Sequence, residues 1–274
     1  MIRCDVCFHD CELAEGQIGF CRGRINRNGK IESLTRNTVI SVALDPIEKK
    51  PLAFFYPGSM ILSLGSTGCN LRCPFCQNHA ISMASHDPIA SHTLTPNDAV
   101  ELALSLVPRG NIGLAFTYNE PLINLEYVEE TARLAKSAGL KTVLVTNGTA
   151  HEAIIRRLIP LIDAFNIDLK GFTTAFYHQL KGDLESVKRT IALCVGQSHV
   201  EITTLIIEGE NDDEQTMAAM ATWLAELDPD LPLHLTRFFP HHLWADKRTT
   251  SIDTLRRLQR VAQQHLNRVL LGNV

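Results

Sequence analysis

The sequence predicts an α/β chain whose larger part is an incomplete (β/α)6 barrel of the TIM-like type. Two observations carry that expectation. From about residue 60 onward, short β-branched or apolar runs alternate with longer amphipathic segments, the pattern of repeated βα units. Three cysteines stand directly after the first of those runs, where barrels gather their active-site groups.

The runs predict strands at Met60–Leu64, Ile112–Thr117, Lys141–Thr146, Ala164–Leu169, Val200–Ile207 and Leu233–Arg237. Right-handed crossovers between them curl the sheet. The first helix, Pro96–Val107, opens with Thr95 as N-cap, Pro96 at its first position and Asp98 near its positive end. The second, Pro121–Ala138, stops at Gly139. Further helices fall at Ala150–Leu158, around Val187–Val195, and at Asp212–Glu226 and Ser251–Leu266. Arg268–Leu271 reads as a short edge strand. The expected division is a cysteine-rich extension over 1–59, with hairpin strands near Lys30–Leu44, and the barrel over 60–274.

At 274 residues, of which 45% are apolar, the chain can fill one barrel core. A net charge of −4 without a basic stripe gives a nucleic-acid partner no support. The first residues lack an apolar signal segment and no later run approaches membrane-spanning length, so a soluble, cytoplasmic protein without membrane contact is expected. In that setting tightly spaced cysteines point to metal before disulfides. Cys194, on an apolar helical face with Val187 and Ile191, reads as a core thiol.

Cys69, Cys73 and Cys76 spell C-x3-C-x2-C. Thiolates normally hold a cubic iron-sulfur cluster through four ligands, so a compact triplet leaves one iron open to a small molecule. The alternative is a zinc knuckle with a distant fourth ligand, although zinc favours two close pairs. The amino-terminal set Cys4, Cys7, Cys11 and Cys21 can close a zinc site or hold a second iron-sulfur cluster, and spacing does not choose between them.

The triplet, with Phe75 as the aromatic residue before its last cysteine, resembles the signature of the radical S-adenosylmethionine (SAM) superfamily, and the likeness runs through nearly the whole chain. It implies a partial barrel holding a [4Fe-4S] cluster on Cys69, Cys73 and Cys76, whose open iron chelates SAM. It also implies reductive cleavage of SAM to methionine and a 5'-deoxyadenosyl radical that abstracts hydrogen, with an electron donor such as flavodoxin or ferredoxin. Within the superfamily, Tyr118-Asn119-Glu120-Pro121, Asp45-Pro46-Ile47-Glu48-Lys49-Lys50-Pro51 and Phe55-Tyr56-Pro57-Gly58 resemble the AmmeMemoRadiSam branch, related to pyruvate formate-lyase activating enzymes. One departure is Tyr-Asn-Glu-Pro in place of the usual Gly-Gly-Glu-Pro.

That likeness implies roles for particular side chains. Asn119 and Glu120 are acceptors for the SAM ammonium. Thr146-Asn147-Gly148 and Asp168-Leu169-Lys170 bring polar groups to the same mouth, Asp168 as a SAM or monovalent-cation ligand and Lys170 as a substrate-side charge. Ile206 and Ile207 are candidates to pack on adenine, Asn211 or Asp212 to cap the next helix, and Arg237 to face SAM or substrate. Glu48, Lys49 and Lys50 either contact substrate or form a solvated turn. His241 and His242 read as loop residues.

The expected activity is therefore a radical SAM enzyme, with activation of a glycyl-radical protein its closest concrete form. Radical modification of a small molecule or nucleic acid, alongside a Memo-type partner protein, is a second form. An iron-sulfur electron carrier or metal sensor that does not cleave SAM is the rival from another class.

Overall fold

A computed structural model describes residues 1–84 and 91–274. Its main sheet has eight strands, numbered along the chain: β1 (Ser41–Pro46), β2 (Met60–Gly65), β3 (Asn111–Phe116), β4 (Lys141–Thr146), β5 (Ala164–Asp168), β6 (His199–Ile206), β7 (Leu233–Arg237) and β8 (Val269–Gly272). They lie side by side in chain order. From β2 to β8 every neighbouring pair is parallel, and β1 returns antiparallel to β2. The six expected parallel strands are thus present, with one more at each edge.

The longer helices that link these strands are α1 (Pro96–Ser105), α2 (Leu125–Ser137), α3 (Glu152–Leu158), α4 (Leu184–Cys194), α5 (Glu214–Leu227) and α6 (Ile252–Ala262), with short helical turns at His79–Ser82 and Thr174–Gln179. Local sequence sets their ends. Thr95 and Asp98 form a reciprocal capping box at the start of α1, with Pro96 at its first position. In α2 the buried residues Leu125, Val128, Ala132 and Ala135 recur at helical spacing, and Gly139 takes a left-handed φ of +76° just beyond. The expected single helix over Pro121–Ala138 begins instead as a 3-10 turn, Pro121–Asn124. Asp213, rather than Asn211 or Asp212, caps α5 by accepting the Thr216 N–H. Asn211 is occupied elsewhere, donating to the Lys170 and Leu205 carbonyls.

The division at residue 59 does not follow the sheet, because β1 pairs with β2 over its whole length. The hairpin expected near Lys30–Leu44 lies earlier, at Arg24–Arg27 with Lys30–Ser33. The segment after β1 closes the floor of the barrel. Ile47, Leu52 and Phe55 pack there against Ile61, Ala115, Val143 and Ala164 from four strands. Cys194 is fully buried in the main core, as expected of a core thiol. Among the described residues no helix is long and apolar enough to cross a membrane.

Candidate active site

The loop after β2 carries the cysteine triplet, and its shape depends on Gly68. This residue has φ +90°, and a Cβ there would meet the Cys21 carbonyl oxygen at 2.6 Å and Ile123 at 2.9 Å. Asn119, from the loop after β3, stitches the two loops together. Its Oδ1 accepts the Ser66 N–H at 3.1 Å, and its Nδ2 donates to the Gly68 carbonyl at 3.0 Å.

Cys69, Cys73 and Cys76 border one cavity of about 790 Å³. Phe75 lines it too, buried and stacked parallel to Phe176 at 6.4 Å between ring centres. Asn119, Glu120, Thr146, Asn147, Asp168 and Lys170 reach the same cavity from the ends of β3, β4 and β5. The barrel therefore gathers these side chains at its mouth, whereas Arg237, Ile206 and Ile207, also assigned there from sequence, do not line the cavity.

Glu120 is 3% exposed and densely hydrogen-bonded. It accepts from the Leu122 N–H at 3.1 Å, the Thr146 hydroxyl at 2.9 Å and the Asn147 N–H at 2.8 Å. Burial pushes its carboxyl up to about 7, against the pull of those donors. A cation arriving from the cavity would offset that desolvation.

Asn147 turns the other way. Its Nδ2 lies 3.8 Å from Cys69 Sγ and 2.8 Å from Asn70 Oδ1. Burial pushes the Cys73 thiol up to about 12, and the Cys69 thiol is raised from the same cause. Such groups ionise only when a metal compensates them. Three thiols on one cavity far larger than an ion, with an N–H donor at one sulfur, fit a polynuclear cluster with an open corner.

Asp168 and Lys170 pair at 3.0 Å, and the Lys170 backbone N–H donates to the Tyr177 hydroxyl at 3.1 Å. Burial opposes the Lys170 charge, but Asp168 and the Cys73 sulfur outweigh it and raise its pKa.

Arg237 does not join the site. Its Nε donates to the Thr250 carbonyl at 2.7 Å and its guanidinium lies over Phe239. Strand alternation puts His234 and Thr236 on the cavity face in its place. The same alternation turns Ile206 into the main core, while Ile207 is buried in the cluster of Leu71, Cys73, Phe75 and Phe176, and Leu205 lines the cavity.

A further group was not assigned from sequence. Tyr118, at φ +72°, donates its hydroxyl to Asp45 Oδ2 at 2.6 Å. Lys50 pairs with the same oxygen at 2.8 Å and sits 4.7 Å over the Tyr118 ring. Lys50 is 2% exposed and so is no solvated turn residue, whereas the Lys49 side chain is 66% exposed. The available signal was the Asp-Pro-Ile-Glu-Lys-Lys run, whose Asp and second Lys close on each other.

The Radical SAM superfamily model matches residues 64–221, more than half of the chain. The chain belongs to the radical SAM superfamily. An uncharacterized protein of Methanocaldococcus jannaschii is 36% identical over 277 residues, spanning all of this chain and 81% of that protein. The GTP 3',8-cyclase of Peptoclostridium acidaminophilum is 28% identical over 198 residues, covering 68% of this chain and 58% of the cyclase. A crystal structure of a domain of pyruvate-formate lyase-activating enzyme from Bacteroides vulgatus superposes with a TM-score of 0.51 at 21% identity, over 59% of this chain and 99% of that domain. Membership of the radical SAM superfamily makes the chain one of its enzymes and implies a [4Fe-4S] cluster and SAM. The thiol triplet and its cavity fit both groups.

Proposed function

We propose that this radical SAM enzyme cleaves SAM reductively and directs the resulting radical at a hydrogen of a substrate admitted to the same cavity, with a protein backbone as the closest candidate. The observation that carries the reading is the convergence of the three thiols and the buried Glu120 carboxylate on one cavity. When bound, the cluster supplies one electron and SAM supplies the 5'-deoxyadenosyl radical. The protein's own groups do the rest. Cys69, Cys73 and Cys76 hold the cluster, Glu120 attracts the ammonium end of SAM, and Thr146 with the Asn147 N–H keeps that carboxylate in place. Apolar walls from Leu71, Phe75 and Leu205 exclude water from the reacting centre.

The test is anaerobic incubation with SAM and a strong reductant. The reading expects 5'-deoxyadenosine from the native protein and none from Cys73→Ala. An iron-sulfur electron carrier or metal sensor produces none from either.

Radical chemistry on a small molecule is a second reading, favoured by the closed floor. Pro51 and Ala53 of the floor segment, with His234, bound the cavity at depth. Lys49, Lys50 and Lys170 set three cations on its walls. Incubation with deuterated cell extract, split into protein and small-molecule fractions, separates the readings. Label reaches 5'-deoxyadenosine from the protein fraction in the first and from the small-molecule fraction in the second.

A further inference from the structure

Ahead of the main sheet, two short antiparallel pairs, Ile2–Arg3 with Glu12–Leu13 and Arg24–Arg27 with Lys30–Ser33, fold the first residues into a small module. Cys4, Cys7, Cys11 and Cys21 surround one internal cavity of about 10 Å³ in it. All four thiols are free, and the Cys4 N–H donates to the Cys11 carbonyl at 2.9 Å. The module has no slack against the barrel. A Cβ on Gly23 would come 2.7 Å from Ile123, and the Cys21 carbonyl abuts Gly68.

We infer that these four cysteines bind a single zinc ion, and that the zinc module braces the loop carrying the catalytic triplet. Space decides the metal. A void of this size admits about one atom-sized guest, so four thiolates at about 2.3 Å from a central zinc suit it and the eight atoms of a cubane do not. The thiols border the void without closing on one point among the described residues, and on this assignment zinc draws them together.

Zinc carries no electron, and the contacts of the module are those of a support. His9 Nε2 bonds the Asn70 carbonyl at 2.8 Å. The Arg72 guanidinium donates to the Phe20 carbonyl and stacks 4.0 Å over its ring. Asn70 also takes the Asn147 amide, and so the module reaches the SAM side of the cavity through one residue.

Metal analysis of the full chain, purified anaerobically with iron, sulfide and zinc supplied, tests the assignment. About one zinc and about four irons per chain are expected. Cys4→Ser with Cys21→Ser should lose the zinc and keep the iron. Cys69→Ala with Cys73→Ala and Cys76→Ala should do the reverse. About eight irons without zinc, zinc that survives the serine pair, or no zinc at all overturns the proposal. If the serine pair does not fold, cobalt(II) loaded into the triple-alanine chain reports the site directly. A tetrahedral thiolate spectrum is expected there, and its absence overturns the assignment. The bracing role predicts at least about tenfold faster amide exchange at Asn70–Arg72 when zinc is chelated, and unchanged exchange removes it.

Discussion

The Glu201 carboxylate accepts the Phe54 backbone N–H at 2.8 Å, and this contact fixes the floor segment beneath the barrel. The Ala53 N–H donates to the other oxygen at 2.9 Å, while His199 and His234 bond the two oxygens at 2.8 Å and 2.6 Å. The catalytic cavity has a closed floor because a fully buried carboxylate on β6 finds two backbone donors on a passing loop.

That arrangement sets an acid limit on stability. Burial alone would raise the Glu201 pKa, but its four partners overcome burial and hold it at about 2, below the ordinary 4.5. A depressed carboxylate stabilises the fold above pH 4.5, and the gain is lost as pH falls through about 2. Its size is on the order of 3 kcal/mol. Glu201→Gln should lower the urea midpoint at pH 7 and flatten its dependence between pH 5 and pH 2. A variant as stable as the native chain would show that the floor is held by packing alone.

Much of this architecture was legible before the structure. Lys141–Thr146 and Leu233–Arg237 became strands with unchanged bounds, the first as a β-branched apolar run buried on both faces and the second by its period-two alternation. The triplet was legible from its spacing and its place after a strand, and Glu120 from the resemblance carried by its Tyr-Asn-Glu-Pro segment. Arg237 was misplaced because the resemblance overrode the alternation that already put it opposite His234. Glu201 and Tyr118 were invisible because their roles come from partners far along the chain. For Glu201 these lie 147 and 148 residues away, and no local pattern encodes that.

Gly68 and Gly139 separate two costs of a left-handed glycine. Gly139→Ala has nothing within 4 Å of the new Cβ and should cost about 1–2 kcal/mol of backbone strain. Gly68→Ala adds a contact of 2.6 Å to the Cys21 carbonyl, so it must also push the amino-terminal module off the triplet loop. Thermal unfolding should place Gly68→Ala well below Gly139→Ala, and iron content should fall only in Gly68→Ala. Equal losses in both variants would remove the steric argument.

If Glu120 attracts the SAM ammonium as proposed, SAM binding depends on pH in a defined direction. With its carboxyl raised to about 7, the group is increasingly protonated below that value and stops attracting the SAM ammonium. Affinity should rise with pH toward 7 and level off above it, falling by up to about tenfold for each unit below. Glu120→Gln should bind more weakly and lose the slope between pH 6 and pH 8. Equilibrium dialysis of SAM across that range measures both, and an unchanged slope in the variant would assign the titration elsewhere.

With the cluster held on Cys69 as proposed, the Asn147 amide, 3.8 Å from Cys69 Sγ, would give the protein a handle on cluster potential that is separate from ligation. Hydrogen bonds to cluster sulfurs stabilise the reduced state by offsetting its extra negative charge. Asn147→Asp keeps an acceptor for the Thr149 hydroxyl, which now bonds Asn147 Oδ1 at 2.6 Å, but replaces the N–H donor with a carboxylate oxygen. Losing a bond worth about 1 kcal/mol corresponds to about 40 mV for one electron, and the added charge acts in the same direction. Redox titration followed by electron paramagnetic resonance should therefore show Asn147→Asp with full iron content and a midpoint lower by at least that amount. SAM cleavage should slow with a weak reductant and recover with a stronger one. A lowered iron content instead would mean that Asn147 holds the loop in place and does not tune the cluster.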